Sequence, residues 1–383
     1  MKPKLIRITT VPISLEKLLE GQLRYMNQFY NVTAISSEKE QLEKYGENEG
    51  VSIFYLPLTR KITPFQDLNA IWKLYKFLKK EKPHIVHSHT PKAGMVGMIA
   101  SYFAKVPNRL HTVAGLPLME AKGIKRKILN TVEKFTYKLA TKVYPNSYGL
   151  EKIILDLQFL KKEKCKVLAN GSSNGIDTEY FNPNSYSEKD KHEINQHLKI
   201  SENDFVYIFV GRLVSDKGIN ELVTAFKNIQ QKNKNTKLLL VGPLESELDA
   251  LNKETLEQLT GNENIISVGY QQDVRPYFAI ANVLTFPSYR EGLPNVVLQA
   301  GAMGLSSIVT DINGCNEIIK QNNNGLIIPV KDKEALFNAM SLVLNEKKLT
   351  EKLTSNSRKS IVKRYQRPVV WDAILEEYSS LKM

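Results

Sequence analysis

Phe205-Val-Tyr-Ile-Phe-Val-Gly211-Arg212-Leu-Val-Ser-Asp-Lys217-Gly218 is the stretch on which the fold turns. From Phe205 to Val210 every residue is apolar or aromatic, with no polar alternation. A strand with one wet face alternates, whereas one that is apolar throughout is buried on both faces, as in parallel sheets covered by helices. Gly211 then lets the chain turn sharply, and a helical pattern opens at Ile219. Strand, turn and helix in that order are one step of an α/β repeat.

The same step recurs outward in both directions. Towards the C-terminus, Lys237–Val241, Ile265–Val268, Val283–Phe286, Ser307–Thr310 and Leu326–Ile328 read as strands. Helices starting near Leu248, Pro294 and Lys333 lie between them. Towards the N-terminus, the strands are Leu5–Ile8, Val32–Ile35, Ser52–Leu56, Ile85–His87, Arg109–Thr112 and Lys142–Tyr144. Helical patterns at Leu68–Lys80, Ala93–Ala104 and Lys125–Ala140 separate several of these. The polar stretch Asn182–His197 interrupts the rhythm and reads as a linker. The expected architecture is α/β, with two tandem Rossmann-like domains, 1–181 and 198–367, and a ligand cleft between them. A final helix, 368–383, could pack back on the first.

Charge separates the halves. Up to Tyr186 there are 29 Lys and Arg against 16 Asp and Glu, and after it 24 against 24, so the first half carries the whole net charge of +13. Such asymmetry suits an anionic partner, although a solvated basic face has the same composition. Cys165 and Cys315 are too few for a disulfide framework, which fits a reducing cytoplasm. The longest nearly apolar run, Ala93–Ala104, falls well short of the roughly 20 residues that span a bilayer.

Two segments carry chemistry. In the first, Gly211 permits close approach of a ligand, Arg212 can grip a phosphate bidentately, and Lys217 adds a point charge beside a helix N-terminus. A plain strand–helix turn with two exposed cations is the simpler account of that segment alone. The second, Pro287-Ser-Tyr-Arg-Glu291-Gly292-Leu293-Pro294-Asn295-Val-Val-Leu-Gln299, again follows a buried strand. Gly292 allows an unusual backbone, Pro294 suits a first helical turn, and the amides of Gly292–Asn295 would face an anion. Gln299, eight residues after Glu291, lies about two turns along the same side. A carboxylate for sugar hydroxyls beside amides and cations for phosphate is what a nucleotide-sugar requires.

These segments together resemble the donor site of glycosyltransferase family 4, retaining enzymes of the GT-B fold, with its Gly-Arg…Lys-Gly turn and Glu-x7-Glu pair. Asn174-Gly-Ile-Asp177 with Phe181, and Asn146-Ser147, match further family positions, so the resemblance runs over essentially the whole chain. It implies that Arg212 and Lys217 bind the donor diphosphate and that Glu291 touches the sugar. Gly211, Gly292, Leu293, Pro294, Asn295, Gln299 and the loop at Pro243 would complete the donor site. The usual second acid is Gln299 here, able to hydrogen-bond ribose but without charge. The variant resembles the subgroup that builds capsule, O-antigen and lipid-linked oligosaccharides. The family's Gly-Gly pair in the first loop is replaced by Pro12-Ile-Ser-Leu-Glu.

The first half holds acceptor-side candidates. His87 and His89 share one strand face, but neighbouring residues supply no third metal ligand, so no metal is expected. His89 and Lys92 end one strand, and His111 lies in another strand-end segment that resembles the family's His-bearing loop; a buried structural His is the alternative for each. Ile124, Ile128, Val132, Phe135 and Leu139 form a helical apolar stripe, expected to be mostly core, ringed by lysines and preceded by the apolar loop Leu116–Met119. The resulting expectation is a metal- and cofactor-independent retaining transferase. It moves a hexose or N-acetylhexosamine from a UDP-type nucleotide sugar to a polyprenyl-diphosphate-linked saccharide. It would work in the cytoplasm, held on the anionic inner face of the plasma membrane by its basic domain. A hydrolysing nucleotide-sugar epimerase shares the architecture but lacks the Lys217–Glu291 pairing. A nucleic-acid-binding role finds no aromatic ladder or recognised motif.

Overall fold

The computed structural model describes residues 2–382 except Ile62, Pro117, Met119, Glu120 and Leu248. The chain forms two units: residues 1–175 together with 367–383, and residues 176–366.

In the first unit, β1 (Lys4–Ile8) leads through α1 (Pro12–Leu19) and α2 (Gln22–Met26) to β2 (Asn31–Ser36), α3 (Lys39–Glu49) and β3 (Ser52–Tyr55). Then follow α4 (Pro64–Glu81), β4 (Ile85–His89), α5 (Pro91–Phe103), β5 (Asn108–Val113), α6 (Gly123–Leu139), β6 (Lys142–Pro145) and α7 (Tyr148–Asp156). The strands pair in the order β3-β2-β1-β4-β5-β6, all parallel. Helices α4, α5 and α6 pack side by side on one face over Ile6, Ile8, Val86 and Val143. Helices α1–α3 and the terminal helix Arg367–Ser380 cover the other face, where Leu5, Val32, Ala34 and Leu110 meet Val370, Ile374 and Tyr378.

The second unit repeats the design. A short helix, α8 (Glu188–His197), precedes β7 (Phe205–Val210), α9 (Ile219–Lys232), β8 (Thr236–Val241), α10 (Lys253–Gly261), β9 (Ile265–Ser267), α11 (Arg275–Ala279) and β10 (Val283–Phe286). After them come α12 (Asn295–Ala302), β11 (Ser306–Thr310), α13 (Cys315–Ile318), β12 (Gly325–Ile328), α14 (Lys333–Asn345) and α15 (Lys347–Tyr365). The sheet order is β12-β11-β10-β7-β8-β9, again parallel. The apolar run that opened the reading is the centre of this sheet: Tyr207, Ile208 and Phe209 are completely buried.

The order reverses direction between β7 and β10, so the connections leaving these two adjacent strands depart in opposite senses and leave a crevice at their carboxyl ends. That reversal brings the Gly211–Gly218 turn and the Pro287–Pro294 loop together across 70 or more residues of sequence.

Three expectations change here. The stretch read as a linker holds α8, which Ser187 and Asp190 close with a reciprocal capping box. The helix expected from Leu248 starts at Lys253, capped by Asn252, while Leu248 lies outside the described residues. Pro294 is the cap of α12 and Asn295 its first residue.

Candidate active site

The loop after β10 is held in place before it can act. The Ser288 carbonyl accepts from the Thr310 hydroxyl at the end of β11, and Asn313 donates its amide to the carbonyls of Glu291 and Gly292. Gly314, at φ 78°, passes so close that a side chain there would put its Cβ 2.4 Å from the Gly292 oxygen. The unusual backbone expected at Gly292 falls at Gly314 instead, and Gly292 has no positive φ. From the β7 side, Gly218 at φ 72° lies against the end of β10, where a Cβ would fall 2.2 Å from the Pro287 carbonyl oxygen. Only a residue without a side chain permits that approach.

Across this seam Lys217 Nζ meets Glu291 Oε1 at 2.5 Å, and the Ser288 hydroxyl donates to the same oxygen at 2.9 Å. Both charged side chains are mostly buried, 15% and 17% exposed. Alongside, Arg290 pairs with Asp216 at 2.5 Å, and the Tyr289 hydroxyl donates to Glu221 at 2.7 Å. Arg212 reaches from the end of β7 to Glu245 at 3.3 Å, and its side chain remains half-exposed. The Pro243 carbonyl accepts from the Leu213 amide at 2.8 Å, tying the loops after β7 and β8 together. The second unit thus gathers Arg212, Lys217, Glu291 and Pro243 around the switch point of one sheet.

The start of α12 matches the anion-site expectation in part. Leu293 and Gly292 are half-buried, Asn295 is exposed, and the amides of these three have no backbone carbonyl partner among the described residues. Pro294 carries no N–H, so it shapes the entry only. Gln299 is half-buried one turn into α12. It is not two turns from Glu291, because residues 291–294 are not helical. Burial first, and the Glu291 carboxylate second, push the buried Cys315 thiol well above its ordinary pKa, so it is no thiolate nucleophile.

On the acceptor side the structure corrects the sequence. His111 points into the helix-covered face of the first sheet, 2% exposed, against Tyr137 and directly under Gly94. Its Nδ1 shares a 2.9 Å hydrogen bond with the Ser88 hydroxyl, and burial lowers its pKa to about 4. It is a packed core imidazole, because its strand position faces helices rather than the strand end. His89 is equally buried, with Arg7 Nη2 at 2.8 Å from Nε2. A guanidinium only donates, so Nε2 accepts and the ring is neutral. Arg7 also donates to Tyr378, and Tyr378 in turn bonds His87 Nδ1 at 2.5 Å, which fastens the terminal helix to the sheet. Lys92 is locked to Asp67 at 2.5 Å, both side chains about a tenth exposed. Lys92 presents no free group to a substrate, and the one ring nitrogen of His89 without a hydrogen-bond partner among the described residues, Nδ1, is buried.

Open space in the first unit lies elsewhere. A cavity of about 1080 Å³ sits at the carboxyl ends of the strands on its β3 side, between Ile13, Ser37, Tyr55, Arg60, Lys61 and Asn69. The Ser37 hydroxyl is buried with no hydrogen-bond partner among the described residues. Sequence reading missed this cavity, since no motif marks its loops. It also gave no role to Ser288, Asp216 and Asn313, although Asp216 and Ser288 lie inside the two segments it singled out. Among the described residues no group of His, Cys, Asp and Glu is arranged to hold a metal, and no helix is long and apolar enough to cross a membrane.

Comparison with known proteins fits this geometry. Residues 190–360 match the family model "Glycosyl transferases group 1", and residues 21–171 match "Glycosyl transferase 4-like domain". The chain is 32% identical over 378 residues to the capsular polysaccharide biosynthesis glycosyltransferase CapM of Staphylococcus aureus, covering 98% of this chain and 97% of that one. It is 29% identical, over 94% of each chain, to a UDP-Gal:alpha-D-GlcNAc-diphosphoundecaprenol alpha-1,3-galactosyltransferase of Escherichia coli. Among solved structures, Anabaena Alr3699/HepE in complex with UDP and glucose superposes with a TM-score of 0.81 at 19% identity, covering 99% of this chain and 100% of that one.

Proposed function

The chain belongs to the glycosyltransferases, with a 4-like N-terminal and a group 1 C-terminal domain, and from that membership we propose that it transfers a hexose or N-acetylhexosamine from a UDP-linked sugar to a polyprenyl-diphosphate-linked saccharide with retention of configuration. The observation that carries the donor half is the Lys217–Glu291 contact at 2.5 Å, beside the unpaired amides that open α12. A cation and a carboxylate held together by an otherwise neutral unit are each ready to change partner. Lys217 takes the donor diphosphate, and Glu291, kept in place by Ser288, turns to hydroxyls of the sugar. Arg212 is similarly paired with Glu245 and is exposed enough to do the same.

In the reaction the bond from C1 to the diphosphate oxygen breaks and a bond from C1 to the acceptor hydroxyl oxygen forms. The hydroxyl proton passes to the departing phosphate oxygen. Negative charge therefore grows on the diphosphate, where Lys217, Arg212 and the α12 amides stabilise it without a divalent metal. Gln299 bonds the ribose as a neutral group. The UDP donor is supported by the names of the Escherichia coli relative and the Anabaena structure, and the lipid-diphosphate acceptor by the former. Arg60 and Lys61 at the mouth of the first unit's cavity suit the acceptor's diphosphate, and Asn69 and Ser37 its saccharide. The enzyme then works at the inner face of the plasma membrane.

Thermal unfolding with a panel of nucleotide diphosphates and their sugars, repeated in EDTA, tests the donor. Stabilisation by UDP and a UDP-sugar is expected; no response to any nucleotide overturns the reading, and a response abolished by EDTA overturns its metal independence. NMR of the product's anomeric signal then tests retention.

A further inference from the structure

The stripe on α6 that reads as core in the sequence is on the outside. Ile124, Ile128 and Phe135 are 78%, 50% and 47% exposed, while α6 buries Glu133, Thr136, Tyr137 and Leu139 instead. Helix α4 does the same: it buries Ala70, Leu74 and Leu78 and leaves Phe65, Leu68 and Trp72 at 88%, 63% and 54%. Positions 65, 68 and 72, and positions 124, 128 and 135, follow helical spacing, so each helix presents one outward apolar ridge. Both helices follow strands of a parallel sheet, so both begin at its carboxyl edge, on the same face and to either side of α5. Large apolar side chains this exposed on neighbouring helices mark a contact surface.

The charges around the ridges name the partner. Lys73, Lys76, Lys79 and Lys80 on α4, and Lys125, Lys127, Lys134 and Lys138 on α6, are all exposed. Every carboxylate of the two helices is either buried or paired with a lysine. Asp67 is buried against Lys92, Glu81 pairs with Lys4, and Glu133 is 7% exposed, its pKa raised by burial. A surface shared with a second copy of this chain would set these lysines against each other. Trp72 lies under the Lys76 ammonium at 3.4 Å, an aromatic with a cation over its face, as suits the boundary between headgroups and acyl chains. Lysine stems can lie along the apolar ridge while their ammonium groups reach outward to phosphate.

We propose that the outer face of α4 and α6 docks on an anionic bilayer, with Phe65, Leu68, Trp72, Ile124 and Ile128 inserted among the headgroups and the flanking lysines on lipid phosphates. This deepens the reading of a lipid-linked acceptor and rests on it for its purpose. Leu116 and Leu118 take no part, being buried, and Pro117 and Met119 lie outside the described residues. The N-terminal turn of α4 also borders the acceptor cavity, since Gln66 and Asn69 line it. A lipid-linked substrate can thus keep its chain in the bilayer while its head enters the protein.

The test is flotation of the full chain with phosphatidylcholine vesicles, with and without phosphatidylglycerol. The wild type is expected to float with the anionic vesicles and stay behind with the neutral ones. Leu68→Ser with Trp72→Ser, or Ile124→Ser with Ile128→Ser, should cut bound protein at least tenfold. Replacing Lys73, Lys76, Lys125 and Lys127 by Gln should weaken partitioning roughly a hundredfold, at several-fold per charge. Tyr270→Ser, at a 69% exposed aromatic of the second unit, should change nothing. Thermal unfolding of each variant with and without UDP reports folding and donor binding on the same samples. Equal flotation on both vesicles, or ridge variants that float like the wild type, overturns the proposal. So does sedimentation in which the wild type is a dimer that the ridge variants dissolve, for the ridge then belongs to a second copy. If UDP stabilises every protein and the wild type does not float, only the docking face falls; if UDP stabilises none, the transferase reading falls.

Discussion

Replacing Lys217 by Ala separates what the Lys217–Glu291 pair does for the fold from what it does for the chemistry. Removing one member of a fully buried ion pair costs about 3–5 kcal/mol, because the other charge is left without a partner. Here both side chains keep about a sixth of their surface in solvent, and Glu291 retains the Ser288 hydroxyl, so the cost should be nearer 1–2 kcal/mol. For a unit of this size that lowers Tm by about 2–8 °C, a folded and measurable protein. The catalytic loss should be larger. A preorganised donor aimed at charge developing on a leaving group is worth roughly 10²–10³ in rate, about 2.7–4 kcal/mol.

Adding Glu291→Ala to Lys217→Ala turns the prediction into a cycle. The double variant should regain most of the lost Tm, since the stranded carboxylate is gone, and should regain none of the activity. The assay is nucleotide release coupled to acceptor turnover, alongside unfolding with and without UDP. Lys217→Ala should also lose most of the stabilisation by UDP, which for the wild type at a hundredfold excess over Kd is about 2.7 kcal/mol. A Lys217→Ala enzyme whose kcat/KM stays within threefold of the wild type refutes the assignment, whatever its Tm.

Gly218→Ala should abolish soluble expression or lower Tm by more than 10 °C, because a Cβ at φ 72° would meet the Pro287 carbonyl at 2.2 Å; a Tm within 2 °C of the wild type refutes that packing argument. Acid should weaken the first unit: burial lowers the pKa of His111 to about 4 and those of His87 and His89 well below the ordinary value, while the unfolded chain protonates all three near pH 6.5. Their contribution is intact above pH 6.5 and falls as pH drops towards 4, by about 1.4 kcal/mol per histidine per pH unit, so calorimetry should show a lower Tm at pH 5.5 than at 7.5; a flat profile refutes it. Arg60→Ala with Lys61→Ala should raise the KM for a polyprenyl-diphosphate saccharide about tenfold or more and leave the KM for the nucleotide sugar unchanged, whereas an equal rise in both would remove the cavity from the acceptor path.

The fold was legible because its signal is local and repeated. Apolar runs such as Phe205–Val210 and Val283–Phe286 bear the mark of burial on both faces, and both strands stand at the positions the sequence indicates. The candidate site of the second unit was legible for a related reason. Its residues lie just after those strands, and sheet order alone brings the two strand ends together. What the sequence hid depends on direction. His111 and Arg109 are two positions apart on one strand and so share a face, yet what covers that face around His111, Gly94 of α5 and Tyr137 of α6, is set by tertiary packing. The stripe on α6 is regular whether it faces in or out; here Thr136 and Tyr137 turn inward and Ile124 and Ile128 outward. Helical periodicity identifies a face without saying what covers it.

The inward turn of α6 carries a consequence for the basic half. Had Ile124, Ile128 and Phe135 been core, the lysines around them would be an ordinary solvated surface, and +13 on one half of the chain would need a separate cause. With the stripe outside, lysines and apolar residues occupy one surface, and the burial of Asp67 and Glu133 and the pairing of Glu81 with Lys4 leave that surface basic. Each buried acid is costly unless partnered: Asp67 has Lys92, while Glu133 has its pKa raised by burial and lies beside Tyr137. Exposing these carboxylates would have been easier for folding and worse for contact with lipid phosphate. The second unit follows the opposite logic, pairing Lys217, Arg212 and Arg290 with carboxylates so that a neutral surface conceals cations a diphosphate can claim. On the proposed reading, one half is charged to meet a surface, and the other is neutralised in a way that a single ligand can undo.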